Sequence, residues 1–463
     1  MPSHFVLTSQ IRDVIQSSGI TPDAILVEPS ELEDYSRDSS ELVFLPQMVV
    51  RAKTVRDIQL LLRMANQYHF PVVPRGAGSG LAGGCLADRG GVVLCTTALD
   101  RIRKIDTQNF IMEVEAGVVS IKVRDAAAAK GLFYPPDPAG MDQSTIGGNA
   151  ATDAGGPACV KYGTTRDYIL GLEAVLPDGS LISTGVATRK GVVGYDLTNL
   201  LVGSEGTLGV ITALTLKLLP SPAAKSGCLV VFPNMSLAMN AVTSVMGKGY
   251  LPSAIEFMDH KCLSLVGDML PFPLPAAGAS LLIIEMDGAK DQVASDIQGV
   301  AMLTQELGAT RFIPVPDPQE REKIWEVRRQ VSLRIHDHAP LYLSEDIVVP
   351  LTAIAELVHA LPAYEETYGI EIFAFGHAGD GNIHLNITAP DRLHLDRVNE
   401  GVKALLELTL QLGGTISGEH GIGIAKRAFI GLELSHESLA LQKNIKRLFD
   451  PNNILNPGKI FVE

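Results

Sequence analysis

The chain has 463 residues, more than the roughly 250–300 at which one hydrophobic core stops growing, so two domains are expected. Apolar residues make up 46% and charged residues 19%, which supports a large buried core and excludes a disordered chain. Thirty-eight Lys and Arg stand against 52 Asp and Glu, a formal charge of −14; that field repels nucleic acid and anionic membrane surfaces, and anionic small molecules need locally placed cations.

The start, from Met1, lacks a basic region followed by an apolar run, so no signal peptide is read. Ile11, Val14 and Ile15 stand at helical spacing, and an acidic stretch runs from Glu28 to Glu41. From Pro46 the pattern becomes short strands alternating with helices. Val49-Val50 reads as a strand, Thr54 as the N-cap of a helix carrying Ile58, Leu61, Leu62 and Ala65, and Val72-Val73 and Val92-Val93-Leu94 as further strands. Strands and glycine-rich turns continue to a β-type run over Val210–Leu219. Pro220-Ser221-Pro222 is the expected linker. Beyond it, strands (Cys228–Phe232, Leu281–Met286) alternate with helices (Ser236–Met246, Asp291–Leu307), which predicts a second α+β domain with helices on one face of its sheet.

The longest apolar stretch, near Ala276–Ile284, is far below the ~18 residues of a membrane span. Cys85, Cys95, Cys159, Cys228 and Cys262 are scattered, with no C-x-x-C pair. This argues against a disulfide framework or a cysteine-ligated cluster and for a soluble protein of a reduced compartment, the cytoplasm.

Three glycine-rich loops lie in the first half. The first is Arg75-Gly76-Ala77-Gly78-Ser79-Gly80-Leu81-Ala82-Gly83-Gly84, after a predicted strand. Glycines let backbone N–H groups converge on a phosphate. Gly78, Gly80 and Gly83 formally match G-x-G-x-x-G, but little room follows for the helix a dinucleotide fold requires. The plain alternative is an ordinary turn. The second loop runs from Asp137 to Gly156 through Ser144, Thr145, Gly148, Asn149 and Thr152. The third is Gly203-Ser204-Glu205-Gly206-Thr207-Leu208-Gly209-Val210-Ile211. Three such loops suit a large cofactor with two phosphates and a ring system.

In these loops the sequence resembles the PCMH-type FAD-binding domain of the vanillyl-alcohol-oxidase/p-cresol-methylhydroxylase superfamily, and most closely its FAD-linked D-2-hydroxyacid dehydrogenases. The resemblance runs from about Pro46 to Lys459. It implies an α+β, two-domain protein: residues 1–220 the FAD-binding domain, 221–425 a ferredoxin-like α+β cap that binds substrate and metal, and 426–463 a segment returning to the first domain. It implies that Arg75 to Leu81 hold the pyrophosphate. Ser144, Thr145, Gly148, Asn149 and Thr152 would run beside the ribityl chain and isoalloxazine, Gly206, Gly209 and Ile211 would lie near the adenosine portion, and Pro138, Gly155, Glu205 and Asn456 would also belong to the cofactor site. Covalent members anchor the flavin through a His or Cys in the first loop. Neither lies between Arg75 and Gly84, so non-covalent FAD is expected.

The run Phe373–Ile387 reads as strand, Gly-Asp-Gly turn, strand. Ile383, Leu385 and Ile387 share one face, His384 and Asn386 the other, and His377 ends the first strand. Glu419-His420 lies among glycines. Two His and a carboxylate suit Zn²⁺, Fe²⁺ or Mn²⁺ without choosing among them. Structural histidines and a solvated loop are the plain alternatives. The resemblance makes His377, His384 and Glu419 the metal ligands, His420 the base, and Asn386 a substrate contact. Pro318–His338 reads as a helix with a buried stripe of Ile324, Val327, Val331 and Ile335; Arg328 and Ser332 are four apart on a neighbouring face. Trp325, Arg328 and Ser332 match the family motif W-x-x-R…[ST], and the resemblance implies that Arg328 clamps the substrate carboxylate with Ser332 as a further substrate contact. Dicarboxylate enzymes of the family carry a lysine where this chain has Ser344, and Glu345 and Asp346 follow, so a monocarboxylate is expected.

The expected activity is oxidation of a short D-2-hydroxy acid, D-lactate or glycolate, by hydride transfer to flavin N5 with metal-assisted binding. A separate acceptor is implied: an electron-transfer flavoprotein, an iron–sulfur subunit or a quinone-linked partner. A homodimer and peripheral membrane attachment through a partner are left open. The competing readings are a D-2-hydroxyglutarate dehydrogenase, an NAD-dependent Rossmann enzyme and a non-catalytic subunit. Bound flavin would exclude the second, and turnover with a dye acceptor the third.

Overall fold

A computed structural model describes residues 4–391 and 395–462; Met1–Ser3, where the leader reading begins, lie outside them. The chain divides into two compact units. The first comprises Met1–Ala154, Thr164–Ser221 and Glu419–Glu463; the second comprises Gly155–Gly163 and Pro222–Gly418. The first junction falls one residue after the expected position. The return falls at Gly418–Glu419, seven residues before residue 426, so Glu419 and His420 are counted with the first unit. The physical reason is long-range: Ile424 and Ala425 donate their N–H groups to the Ala82 carbonyl at 2.7 and 3.1 Å.

In the first unit, strands Met48–Arg51, Val92–Cys95 and Val72–Arg75 run parallel, with Ile25–Leu26 antiparallel on the edge. A parallel pair needs a crossover, and the helix Val55–Tyr68 supplies it. Its start is fixed as the sequence predicts. Thr54 Oγ1 accepts from Asp57 N–H at 3.2 Å, and the Asp57 carboxylate accepts from Thr54 N–H at 2.9 Å, a reciprocal capping box. Ile58, Leu61, Leu62 and Ala65 are fully buried against Val50, Val72 and Leu94. A second, antiparallel sheet orders its strands Ile102–Asp106, Ile111–Glu115, Val210–Lys217, Ile169–Val175 and Leu181–Gly185. The linker segment is partly structured, because Leu219–Pro220 pairs with Leu132–Phe133. The C-terminal stretch completes this unit: Leu455 bridges Val72, and Ile454 and Leu455 enter its core.

In the second unit the described strands form one antiparallel sheet. Its order is Arg311–Val315, Ala224–Phe232, Ser280–Gly288, Ala254–Met258, Glu371–His377, Asn382–Ala389 and Leu341–Val348. The expected helices are present as Met235–Gly247, Lys290–Glu306 and Pro318–His336. Helices on one face only is an expectation the structure corrects. All eight residues of Asn382–Ala389 are buried, so both faces are covered there. Phe373 and Phe375 cluster with Val327, Val331 and Ile335 of the Pro318–His336 helix. Direct cross-strand partners share a face, and Phe375 pairs with His384 and Phe373 with Asn386. His384 and Asn386 therefore lie on the face that this helix covers.

Candidate functional site

In the first unit the three glycine-rich loops converge. A side chain at Gly76 would collide with the Thr145 hydroxyl and stand 3.6 Å from Gly148 Cα, so only glycine lets the first loop approach the second. Gly203 and Glu205 N–H donate to the Ala150 and Ala151 carbonyls at 2.9 and 2.8 Å, joining the third loop to the second. Asn456 Nδ2 donates to the Gly84 carbonyl (2.9 Å) and the Glu205 carbonyl (2.7 Å), tying the third loop to the first. Thr145 caps the short helix Ile146–Thr152 by accepting from Gly148 N–H. A helix start with glycines in its first turn presents N–H groups to an anion.

Several side chains assigned to the cofactor by resemblance face the protein. The Arg75 guanidinium is buried, donates to Cys85 Sγ and the Asp34 carbonyl at 3.4 Å, and lies over the Tyr35 ring. It braces the loop. Asn149 Nδ2 donates to Ser120 Oγ at 2.8 Å, and Ser120 Oγ meets Ser144 Oγ at 2.9 Å. Thr152 Oγ1 donates to the Gly148 carbonyl. Pro138 accepts the Met141 N–H in a turn, Gly209 and Ile211 are buried at the start of a central strand, and Gly155 falls in the segment counted with the second unit. What the loops offer a cofactor is mainly backbone.

In the second unit the hairpin places His377 and His384 with Nε2 atoms 3.4 Å apart and rings nearly perpendicular. His377 Nδ1 donates to Glu256 Oε1 at 2.5 Å, which directs its Nε2 toward His384. Glu256 Oε2 accepts from Arg328 Nε at 2.8 Å. One buried carboxylate thus fixes both an imidazole and the guanidinium of the predicted clamp. Arg328 also lies over the Phe375 ring, 4.2 Å from its centroid. Burial pushes the Glu256 carboxyl up, but the charges of His377 and Arg328 outweigh it and hold the pKa below the ordinary value. Ser332 is half-buried one turn beyond Arg328, whereas Trp325 is turned to Glu285 Oε1 at 3.0 Å. Asn386 is buried, and its Oδ1 accepts from Tyr342 Oη at 2.6 Å.

Asp346 pairs in register with His384, its Oδ1 lying 3.7 Å from His384 Nδ1. It also accepts from Asn382 Nδ2 at 2.6 Å and from Gly418 N–H at 2.9 Å. Gly418 leads directly into Glu419 and His420, both half-buried. Glu256 and Tyr342 are contributors that sequence reasoning missed, and Asp346 was read only as an acid beside Ser344. The available signal was an acidic residue inside an apolar strand, such as Ala254-Ile255-Glu256-Phe257-Met258, because an unpaired buried carboxylate is costly.

Residues 221–460 match the family described as FAD linked oxidases, C-terminal domain, and residues 46–185 match the FAD binding domain. The chain therefore belongs to the FAD-linked oxidases, flavoprotein oxidoreductases with a PCMH-type FAD-binding fold. Within them it stands in the FAD-dependent hydroxyacid dehydrogenase branch. It is 37% identical over 432 residues to glycolate oxidase subunit GlcD of Bacillus subtilis (strain 168), covering 93% of this chain and 92% of that one. It is 33% identical over 455 residues to D-lactate dehydrogenase of Anaerostipes hadrus, covering 95% of each. A solved structure of p-cresol methylhydroxylase with substrate bound matches with a TM-score of 0.81 at 18% identity, over 99% of this chain and 98% of that chain; this likeness concerns the fold. Among the described residues no helix is long and apolar enough to cross a membrane.

Proposed function

We propose that the protein oxidises a short D-2-hydroxy acid, D-lactate or glycolate, to the 2-oxo acid and passes the electrons to a separate acceptor protein or quinone-linked partner. The observation that carries this reading is the shared carboxylate of Glu256, which presents a guanidinium and an imidazole side by side. The names of the relatives support the substrate class.

The residues fit both implied groups. The converging glycine backbone suits the FAD pyrophosphate. Two imidazole nitrogens each about 2.1 Å from one ion at a tetrahedral angle stand about 3.4 Å apart, the separation of the His377 and His384 Nε2 atoms. We assign His377, His384 and Glu419 to the metal. When bound, FAD supplies the hydride acceptor and the divalent ion supplies positive charge that lowers the pKa of the substrate hydroxyl. Arg328, already oriented through Nε, offers its remaining N–H groups to the substrate carboxylate in a planar fork. Asn386, held by Tyr342, lines the same face. His420 takes the hydroxyl proton as the Cα–H bond breaks. Dye reduction by the FAD- and metal-loaded protein across a 2-hydroxy-acid panel tests this function; no turnover with any member would overturn it.

Two predictions arise here. Denaturation should release intact FAD, with none left on the polypeptide by absorbance of the washed precipitate. The thiol that follows the first loop, Cys85, is pushed up to about 11 by burial, so it stays protonated and is a poor nucleophile. Second, D-lactate and glycolate should exceed D-2-hydroxyglutarate in kcat/KM by about tenfold or more, measured with one acceptor. A second carboxylate buried without a cation loses hydration and gains little. Ser344 pairs with Asn386 and so faces the site. The cations that could replace the missing lysine are engaged elsewhere: Arg334 on Asp268 and Lys323, exposed, on Glu320. Of the two acids after Ser344, only Asp346 shares the site's face; Glu345 pairs with Leu385 on the other.

A further inference from the structure

We infer that Glu205 is a positioning residue for the Glu419–His420 loop: its carboxylate fixes the direction in which the imidazole that takes the substrate proton is presented. The inference deepens the proposed function and rests on its assignment of His420 as base. Both carboxylate oxygens are used. Oε1 accepts from Ile422 N–H at 2.8 Å and Oε2 from Gly423 N–H at 2.7 Å. These peptides follow His420 by two and three residues, and the next two donate to the Ala82 carbonyl. The loop is therefore gripped immediately downstream of His420. Gly421 has φ +79°, and a Cβ there would stand 3.1 Å from Glu205 Oε1; glycine is what lets the loop reach the carboxylate.

The clamp is itself rigidly held. Glu205 has φ +49°, a left-handed conformation uncommon for a side-chain-bearing residue, and Asn456, which donates to its carbonyl, has φ +47°. Such strain persists where the surroundings over-determine it. The Glu205 N–H is bound to Ala151 as well. Burial pushes its carboxyl above the ordinary range, opposed by the two N–H donors. A charged acceptor with two oxygens suits two parallel N–H groups; a glutamine would set its own NH₂ against one of them. Glu205, assigned by resemblance to the cofactor, thus directs its side chain to the proton-accepting loop.

The test uses FAD- and metal-loaded Glu205→Gln, with dye-coupled kinetics across pH, FAD content, and hydrogen exchange of the 418–425 segment. A catalytic group displaced by about 1 Å loses up to ~100-fold in rate. Expected results are a kcat about tenfold to a hundredfold lower, KM within about twofold, FAD retained, a displaced pH limb for the base, and faster exchange in 418–425. Glu205→Asp, which keeps two charged acceptors, should recover part of the kcat. Lost FAD with wild-type kcat at saturating flavin would make Glu205 a cofactor contact and overturn the inference. An unchanged kcat and pH limb would also overturn it. Glu205→Asp decides by the same readouts where the glutamine variant does not fold: wild-type kcat and pH limb would overturn it there too. His420→Ala is run in parallel: full turnover would remove the base assignment itself, whereas an inactive His420→Ala beside a wild-type Glu205→Gln would remove this inference alone.

Discussion

Replacing His384 with alanine should strip the metal and abolish turnover while FAD stays bound. His384 is buried, packed on Phe375, with its Nε2 facing His377 and its Nδ1 toward Asp346. Alanine leaves one imidazole where two converge, and a site missing one of its protein ligands cannot hold a divalent ion at working concentrations. The flavin loops belong to the other unit, so flavin absorbance per polypeptide should match the wild type. Metal analysis by mass spectrometry beside dye-coupled turnover checks both halves. Wild-type metal content and turnover would show that the two histidines are structural.

Arg328→Lys should lower kcat/KM for D-lactate or glycolate by about 10- to 150-fold, the equivalent of one charge-assisted hydrogen bond at roughly 1.5–3 kcal/mol. Lysine keeps the charge but loses the planar fork. Arg328 Nε is already committed to Glu256, so arginine serves substrate and protein at once. A lysine ammonium that stays with Glu256 leaves the substrate carboxylate without its pair. Most of the effect should appear in KM, because the carboxylate is bound alike in ground and transition states. An unchanged kcat/KM would place the substrate carboxylate on another cation.

Much of this was legible in the chain. The period of two in Asn382–Ala389 placed His384 and Asn386 on one face, and the Thr54 cap fixed a helix start, because both signals are local. The partners of Glu256 were not legible, since His377 and Arg328 lie 121 and 72 positions away and nothing in the residues around it specifies them. The Glu205 side chain was read by its neighbours in a glycine-rich loop; its carboxylate partners lie more than 200 positions downstream. The division at Gly418–Glu419 was missed because long-range hydrogen bonds set it, and composition does not change there.

The return of Glu419–Glu463 to the first unit has a consequence for biosynthesis. Leu455 bridges Val72, and Asn456 ties the loops at Gly84 and Glu205. These contacts do not exist while the C-terminal stretch is still inside the ribosome. Pro222–Gly418 is a nearly continuous piece and emerges whole ahead of the Glu419–Glu463 stretch that belongs to the first unit. Until Leu455 and Asn456 have been made, the sheet of the first unit lacks this bridge and its glycine loops lack this tie. A chain lacking residues 451–463 would therefore be without the Leu455–Val72 bridge and the Asn456 ties although every glycine of the cradle had been made.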